Sequence, residues 1–330
     1  MRDADAISPG SGEDWRPGAD LAVLHLRAEL LARIRRFFAE QDVMEVETPL
    51  LASTTSTDLH LSSLEVHCQI QGVDRLLFLQ TSPEFFMKRL LAAGSGAIFQ
   101  ISKAFREGEV GQYHNPEFTL LEWYRPGFDC RALMDEIEIL LGLLLDIGPA
   151  KRITYAEAFQ RHANLDPFHT PLPQLREYTQ RLGLRREDAA CLDRETCLDL
   201  VLSQVVQPVL GTGPVFVTDF PAAQASMARL AIDDPLVADR FELFVDGIEL
   251  ANGYRELLDD QEQRARFLVD IDRRRQKHLA AIPVDDRLLK ALRYGLPDCA
   301  GVALGFDRLV MLAVTAANLG QVMAFSCSRI

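Results

Sequence analysis

Two glutamates flank the strongest turn signal in the chain. Asp246-Gly247 lies between the apolar-alternating runs 241–245 and 248–252, the pattern of a type I′ β-hairpin. In that register Val245 pairs with Ile248 and Phe244 with Glu249, so Glu242 and Glu249 become diagonal neighbours on one face. Two carboxylates placed that way repel each other. Either they are solvated on an open sheet face or a cation sits between them, and Mg²⁺ is the ion that combines carboxylate with substrate phosphate oxygens. Glu122 and Tyr124 share parity on the run 117–124 and face the same way. A buried Glu there needs a positive partner, either an arginine of the chain or an amine-bearing ligand.

Other residues suit an anion. Arg308 stands at the start of a helical pattern whose N–H groups attract negative charge. Gly301 and Gly305 would let that backbone approach a ligand closely. This is either a weak phosphate site or a surface arginine. Phe105-Arg106 leads into a polar loop ending in His114-Asn115-Pro116-Glu117-Phe118, which offers phosphate and adenine contacts or is an ordinary hairpin loop. There is no P-loop, and Gly94-Ser95-Gly96 lacks the third glycine of a dinucleotide fingerprint. The run Arg273-Arg274-Arg275-Gln276-Lys277-His278 is either a solvated helix face or a docking patch for an acidic surface.

The elements that must position these residues follow from periodicity. Leu21, Leu24, Ala28, Leu31, Ile34 and Phe38 recur every three or four residues, one face of a helix. Strands are expected at 43–48, 64–70, 75–80, 97–101 and 117–124. Ser82 as N-cap and Pro83 at the first helical position open a helix to about residue 93. Asp129 caps a long helix to about 147, and Thr154 with Glu157 forms a capping box. Residues 160–214 read as a mainly helical insertion. Further strands are expected at 215–220, 301–305 and 322–326, with helices at 255–280 and 307–318. Strands joined by short turns, with helices in blocks, give an α+β fold around a mostly antiparallel sheet.

The chain has 330 residues, 48% hydrophobic and 25% charged, with a formal net charge of −13. This is globular composition, which excludes disorder and collagen-like repeats. The negative charge argues against a nonspecific nucleic-acid coat. Cys68, Cys130, Cys191, Cys197, Cys299 and Cys327 form no CxxC pairs and read as reduced thiols. No apolar run reaches the ~18 residues of a membrane span, and residues 1–20 read as a flexible tail without the apolar core of a signal peptide. A cytoplasmic location without membrane association is expected.

Taken together, these residues resemble class II aminoacyl-tRNA synthetases. Pro49 after a helix–strand unit is similar to motif 1. Phe105-Arg106 with His114-Asn115-Pro116-Glu117-Phe118 is similar to motif 2, and Gly305-Phe306-Asp307-Arg308 to motif 3. Thr81-Ser82-Pro83-Glu84, Glu122-Trp123-Tyr124 and Glu249-Leu250-Ala251-Asn252-Gly253 narrow the resemblance to the lysine-type enzymes. Only a short tail precedes the first helix, so no anticodon-binding OB-fold is expected. The chain looks like the catalytic-core paralogues of lysyl-tRNA synthetase that modify a protein. Ala303 stands where the synthetases usually have glycine.

The resemblance implies a catalytic core over 21–330 that adenylates (R)-β-lysine with ATP and Mg²⁺. The β-lysyl group would then pass to a lysine of translation elongation factor P. It implies a homodimer built on motif 1 and no stable tRNA binding. By the same resemblance, Arg106 would hold the α-phosphate and Arg308 the γ-phosphate. Asn115, Leu250 and Gly305 would contact the nucleotide, and Glu242 and Glu249 would hold Mg²⁺. Ser82, Pro83 and Glu84 would receive the substrate amino group; Glu122, Tyr124 and Glu256 would receive its side-chain end. Glu107 and Gly108 fall in the ATP-binding stretch. Gly108 departs from the family, whose motif 2 has Glu there, and Glu109 is the flanking candidate for that role. The competing readings are a truncated lysyl-tRNA synthetase-like enzyme activating L-lysine and a non-catalytic amino-acid-binding regulator.

Overall fold

Alternation along one strand sets the plan of the molecule. In the strand 117–126, Leu121 and Trp123 enter the main apolar core while Glu122 and Tyr124 face the other way. The sheet therefore has a closed apolar face and a polar face. The computed structural model describes residues 15–330; the first fourteen residues of the expected tail lie outside the described part. Residues 15–20 pack on the C-terminal segment, with Gly18 and Ala19 donating to the Ala324 and Met323 carbonyls at 2.7 and 3.1 Å.

In chain order, helix α1 (Leu21–Ala39) leads to the short strands β1 (Met44–Glu45) and β2 (Leu51–Ala52), then β3 (Glu65–Ile70) and β4 (Val73–Leu79). Next come α2 (Glu84–Ala92), β5 (Ile98–Phe105), β6 (Glu117–Pro126) and α3 (Cys130–Leu144). A helical stretch follows β7 (Lys151–Thr154): α4 (Tyr155–Ala163), α5 (Leu172–Arg181), α6 (Arg186–Cys191) and α7 (Arg194–Val201). The chain returns through β8 (Pro214–Pro221), β9 (Val237–Val245) and β10 (Ile248–Arg255). It ends with α8 (Asp260–Gln276), α9 (Asp286–Gly295), β11 (Cys299–Gly305) and α10 (Phe306–Ala313).

Eight strands form the main sheet in the order β1-β5-β6-β11-β10-β9-β8-β7. Its interior pairs are antiparallel, and only the outermost pairs, β1 with β5 and β7 with β8, are parallel. This is the expected α+β architecture. Helices α1, α3 and α10 bury Ile34, Ile137 and Leu309 against the closed face. On the polar face, α2, α8 and α9 pack at one end through Phe85, Phe267 and Leu292. Helices α4, α5 and α7 pack at the other through Phe159, Leu175 and Val201. The centre of that face stays uncovered.

Several local expectations shift. Segment 322–326 is not a strand: Val322 and Met323 are buried, and two 3₁₀ turns, Leu319–Gln321 and Cys327–Arg329, bracket it. The ladder at 43–48 shrinks to β1, an edge strand that Pro49 follows closely. Helix α2 begins at Glu84 rather than Pro83; the Ser82 hydroxyl accepts from the Glu84 N–H at 3.0 Å. The buried face of α1 is Leu30, Ile34, Phe37 and Phe38, while Leu21 is 69% exposed. Helix α9, which the sequence reading passed over, has a clear cap: Asp285 accepts from the Arg287 and Leu288 N–H groups. In the basic run Arg275, Gln276, Lys277 and His278 are exposed and Arg274 is buried. Arg273 forms a two-pronged pair with Glu195, Arg275 pairs with Asp272, and buried Arg274 donates to the Asp58 and Leu61 carbonyls.

Candidate active site

The uncovered centre of the polar face is a cavity of about 770 Å³. One end is a pocket of buried ionisable groups. Glu84 and Lys88 stand one helical turn apart on α2 and pair at 2.6 Å. On its other side the Lys88 ammonium meets Glu256 Oε2, also at 2.6 Å. Tyr254, on β10, donates its hydroxyl to the same Glu84 oxygen that Lys88 contacts. Glu122, on β6, accepts from the Tyr124 hydroxyl at 2.7 Å.

This pocket is electrically short of positive charge. Burial, with the Glu84 charge behind it, pushes Glu122 up to about 8, against the pull of Tyr124, Ser82 and Lys88. Burial likewise pushes Glu256 up to about 8, with Lys88 opposing. Lys88 itself is raised, because Glu256 and Glu84 together outweigh its own burial. Two carboxylates thus flank one ammonium, with a third, Glu122, close enough to feel its charge. Gly301 makes the room: a Cβ there would fall 2.4 Å from Tyr124 Cε1 and 2.6 Å from Glu256 Oε1.

The other end gathers arginines and the hairpin acids. Arg308 donates to the Glu249 carbonyl at 2.7 Å and the Tyr113 carbonyl at 3.2 Å, and lies 3.0 Å from His114 Nε2. Burial and the Arg308 charge hold His114 below its ordinary range, so the neutral ring accepts from the guanidinium. Arg106 lies over the Phe118 ring, 4.9 Å from its centroid, and faces Glu109 at 3.5 Å. Gly305 ends β11 beside the Arg308 side chain.

The hairpin register is as expected, with Val245 opposite Ile248 and Phe244 opposite Glu249. Both turn residues are left-handed, φ +50° at Asp246 and +76° at Gly247, as a type I′ turn requires. A bulge follows between Glu249 and Ala251, so Asn252 rather than Ala251 pairs with Glu242. The bulge sends Leu250 and Ala251 together into the apolar core, leaving Glu249 and Asn252 on the face of Glu242. Burial, then the charges of Glu249 and Asp199, push Glu242 up to about 7 against the pull of Arg240. Among the described residues no group of three or more His, Cys, Asp or Glu forms a metal cage. Glu242 is paired with Arg240, and Glu249 lies 3.4 Å from Arg308; a Mg²⁺ held by this pair would share the carboxylates with those arginines and complete its shell with waters and substrate phosphates.

The structure thus brings Ser82, Glu84, Glu122, Tyr124, Glu256, Arg106, Asn115, Glu242, Glu249, Leu250, Gly305 and Arg308 to one cavity. Three expected residues sit differently. Glu107 and Gly108 are exposed, because Gly108 (φ +77°) turns the loop outward, and Glu109 is the acid that lines the cavity. Pro83 is buried as the cap of α2 and does not line it. Asn115 is held by backbone, donating to the Glu117 carbonyl at 2.6 Å and accepting from the Cys327 N–H at 2.9 Å. Sequence reading missed Lys88, Tyr254, Arg240 and Asn252. For Lys88 a signal existed: Glu84 lies four residues before it, on the same helical face.

Comparison with known proteins bears on the family. The family model for tRNA synthetases class II (D, K and N) matches residues 14–329. The elongation factor P--(R)-beta-lysine ligase of Salmonella typhimurium is 48% identical over 96% of this chain and 98% of its own length. The protein of the same name from Yersinia pestis is 49% identical over 94% of this chain and 97% of its own. The chain belongs to the class II tRNA synthetase family.

Proposed function

We propose that this chain is an ATP-dependent, AMP-forming ligase that adenylates (R)-β-lysine and transfers the β-lysyl group to a lysine of elongation factor P. The observation that carries this reading is the pocket in which Glu84 and Glu256 pair with buried Lys88 and buried Glu122 stands beside them. With all four groups charged it holds a net −2, which two substrate ammonium groups neutralise. A monoamine would leave one of the raised acids without a cation, and that acid would keep its proton instead. The relatives matched nearly end to end are ligases by name. This favours a protein acceptor over L-lysine charging of tRNA or a regulator without chemistry.

In this reading the substrate carboxylate attacks the α-phosphorus of ATP and pyrophosphate leaves. The acceptor amine then attacks the carbonyl carbon and AMP leaves. Arg106 holds the α-phosphate, and Arg308, already oriented by Tyr113, Glu249 and His114, holds the γ-phosphate. Glu242 and Glu249 hold Mg²⁺, which neutralises phosphate charge when bound. Glu84 takes the amino group nearest the carboxylate, and Glu122, Tyr124 and Glu256 take the distal ammonium. Glu109 stands in for the absent motif 2 glutamate. No side chain acts as a nucleophile.

We further infer a homodimer in the cytoplasm, with one catalytic unit spanning 21–330. Exposed Met44, Leu51, Ile70, Val73 and Leu76 on β1 to β4 support a subunit contact. The six free cysteines suit a reducing compartment. No helix among the described residues is long and apolar enough to cross a membrane.

ATP–pyrophosphate exchange across the isomers of lysine tests the activation step. The highest kcat/KM is expected with (R)-β-lysine; no exchange with any isomer contradicts the reading.

A further inference from the structure

We propose that Lys88 is a positioning residue of the amine pocket: its ammonium, bridging Glu84 and Glu256, fixes the pH range over which the pocket accepts a diamine. The inference rests on the ligase reading above and adds a residue that does not itself meet the substrate in that scheme.

The geometry is specific. Lys88 is 1% exposed, and its Nζ lies 2.6 Å from one oxygen of each glutamate. Those glutamates come from different elements, Glu84 from the first turn of α2 and Glu256 from just beyond β10. The ammonium therefore ties a helix to a strand end across the pocket floor. The Tyr254 ring lies beside it, its centroid 5.4 Å from Nζ, and the Tyr254 hydroxyl holds Glu84 from the other side. The remaining ionisable groups facing this cluster are Glu122 and Tyr124 of β6 and Cys299 of β11. Among these described groups Lys88 is the cation.

Such a cation has one electrostatic consequence. Burial drives Glu256 toward its neutral form, and Lys88 opposes that drive. Removing the ammonium leaves Glu84, Glu122 and Glu256 as three adjacent acids with no internal counter-charge. Glu122 and Glu256, whose protons Lys88 helps to remove, then retain them to higher pH, and a substrate ammonium must displace those protons in order to bind.

The test measures the pH dependence of KM for (R)-β-lysine in ATP–pyrophosphate exchange, between pH 6.5 and 9, for wild type, Lys88→Met, Lys88→Gln and Lys88→Arg. ATP binding without amino acid, together with a thermal melt, reports that each variant is folded. In Met and Gln variants the acid limb of the profile is expected to move up by about one pH unit. KM at pH 7 then rises about tenfold with kcat little changed, and Lys88→Arg stays near wild type. Acid limbs of the neutral variants that coincide with wild type overturn the inference. It is equally overturned if both neutral variants fail to fold while Lys88→Arg folds, because Lys88 would then serve stability alone. Wild-type protein that binds ATP yet shows no exchange with any lysine isomer would instead sink the ligase reading.

Discussion

The Lys88 ammonium and the Glu256 carboxylate meet at 2.6 Å where neither is reached by solvent. Charges so buried persist only when paired and are costly to separate. The pocket around them was built with one cation of its own and three acids, and the shortfall defines what it binds.

Gly301 should tolerate no side chain. A Cβ there meets the Tyr124 ring and Glu256 together, and neither can retreat from a packed wall. Gly301→Ala should cost about 1–3 kcal/mol of stability and remove most amino-acid binding while ATP binding persists. Calorimetric titration with each substrate separately checks this; unaltered amino-acid affinity would refute it.

The pH dependence has a definite sign. Glu122 and Glu256 are raised to about 8 in the folded protein, above the unfolded carboxylate range. Their contribution to stability is complete below the unfolded value and is lost as pH rises through 8. The unliganded protein should therefore melt lower at pH 8.5 than at pH 6.5. Substrate ammonium groups favour the ionised acids, so the melting-temperature rise given by (R)-β-lysine should grow over the same interval. A ligand-induced rise that is flat with pH would show that these acids do not meet the amines.

Glu242→Gln and Glu249→Gln each remove charge from the cation pair while keeping shape. Both should raise the Mg²⁺ concentration needed for half-maximal exchange, by about tenfold if a single contact of about 1.4 kcal/mol is lost. Titrating Mg²⁺ at fixed ATP measures this, and unchanged requirements in both variants would remove the metal assignment.

Ala303 sits on β11 between Glu122 and Asn252, its register partners on either side, and lines the cavity. The resemblance to the synthetases implies glycine at this position in them, and one methyl group is worth about 10–200-fold in discrimination. Ala303→Gly should shift the kcat/KM ratio toward L-α-lysine while ATP affinity stays near wild type. A ratio equal to wild type would place selectivity elsewhere, around Ser82, Glu84 or Met87.

The hairpin and both carboxylates on it were legible because an Asp-Gly turn dictates register locally. The bulge after Glu249 was not, since it follows from how Leu250 and Ala251 pack into the core. The Ser82–Glu84 helix start was readable to within a residue. Lys88 passed unnoticed because its two partners are separated by more than 160 positions of sequence, and only the fold brings Glu256 to Glu84. The strand expected at 322–326 failed for a related reason: apolar residues alone do not make a strand where no neighbouring ladder is available.

The measurement closest to the central claim is the mass of elongation factor P after incubation with this protein, ATP, Mg²⁺ and (R)-β-lysine. The account predicts a single added β-lysyl group on one lysine, dependent on ATP, with no aminoacylation of tRNA in a parallel reaction. Unmodified elongation factor P alongside charged tRNA would contradict it.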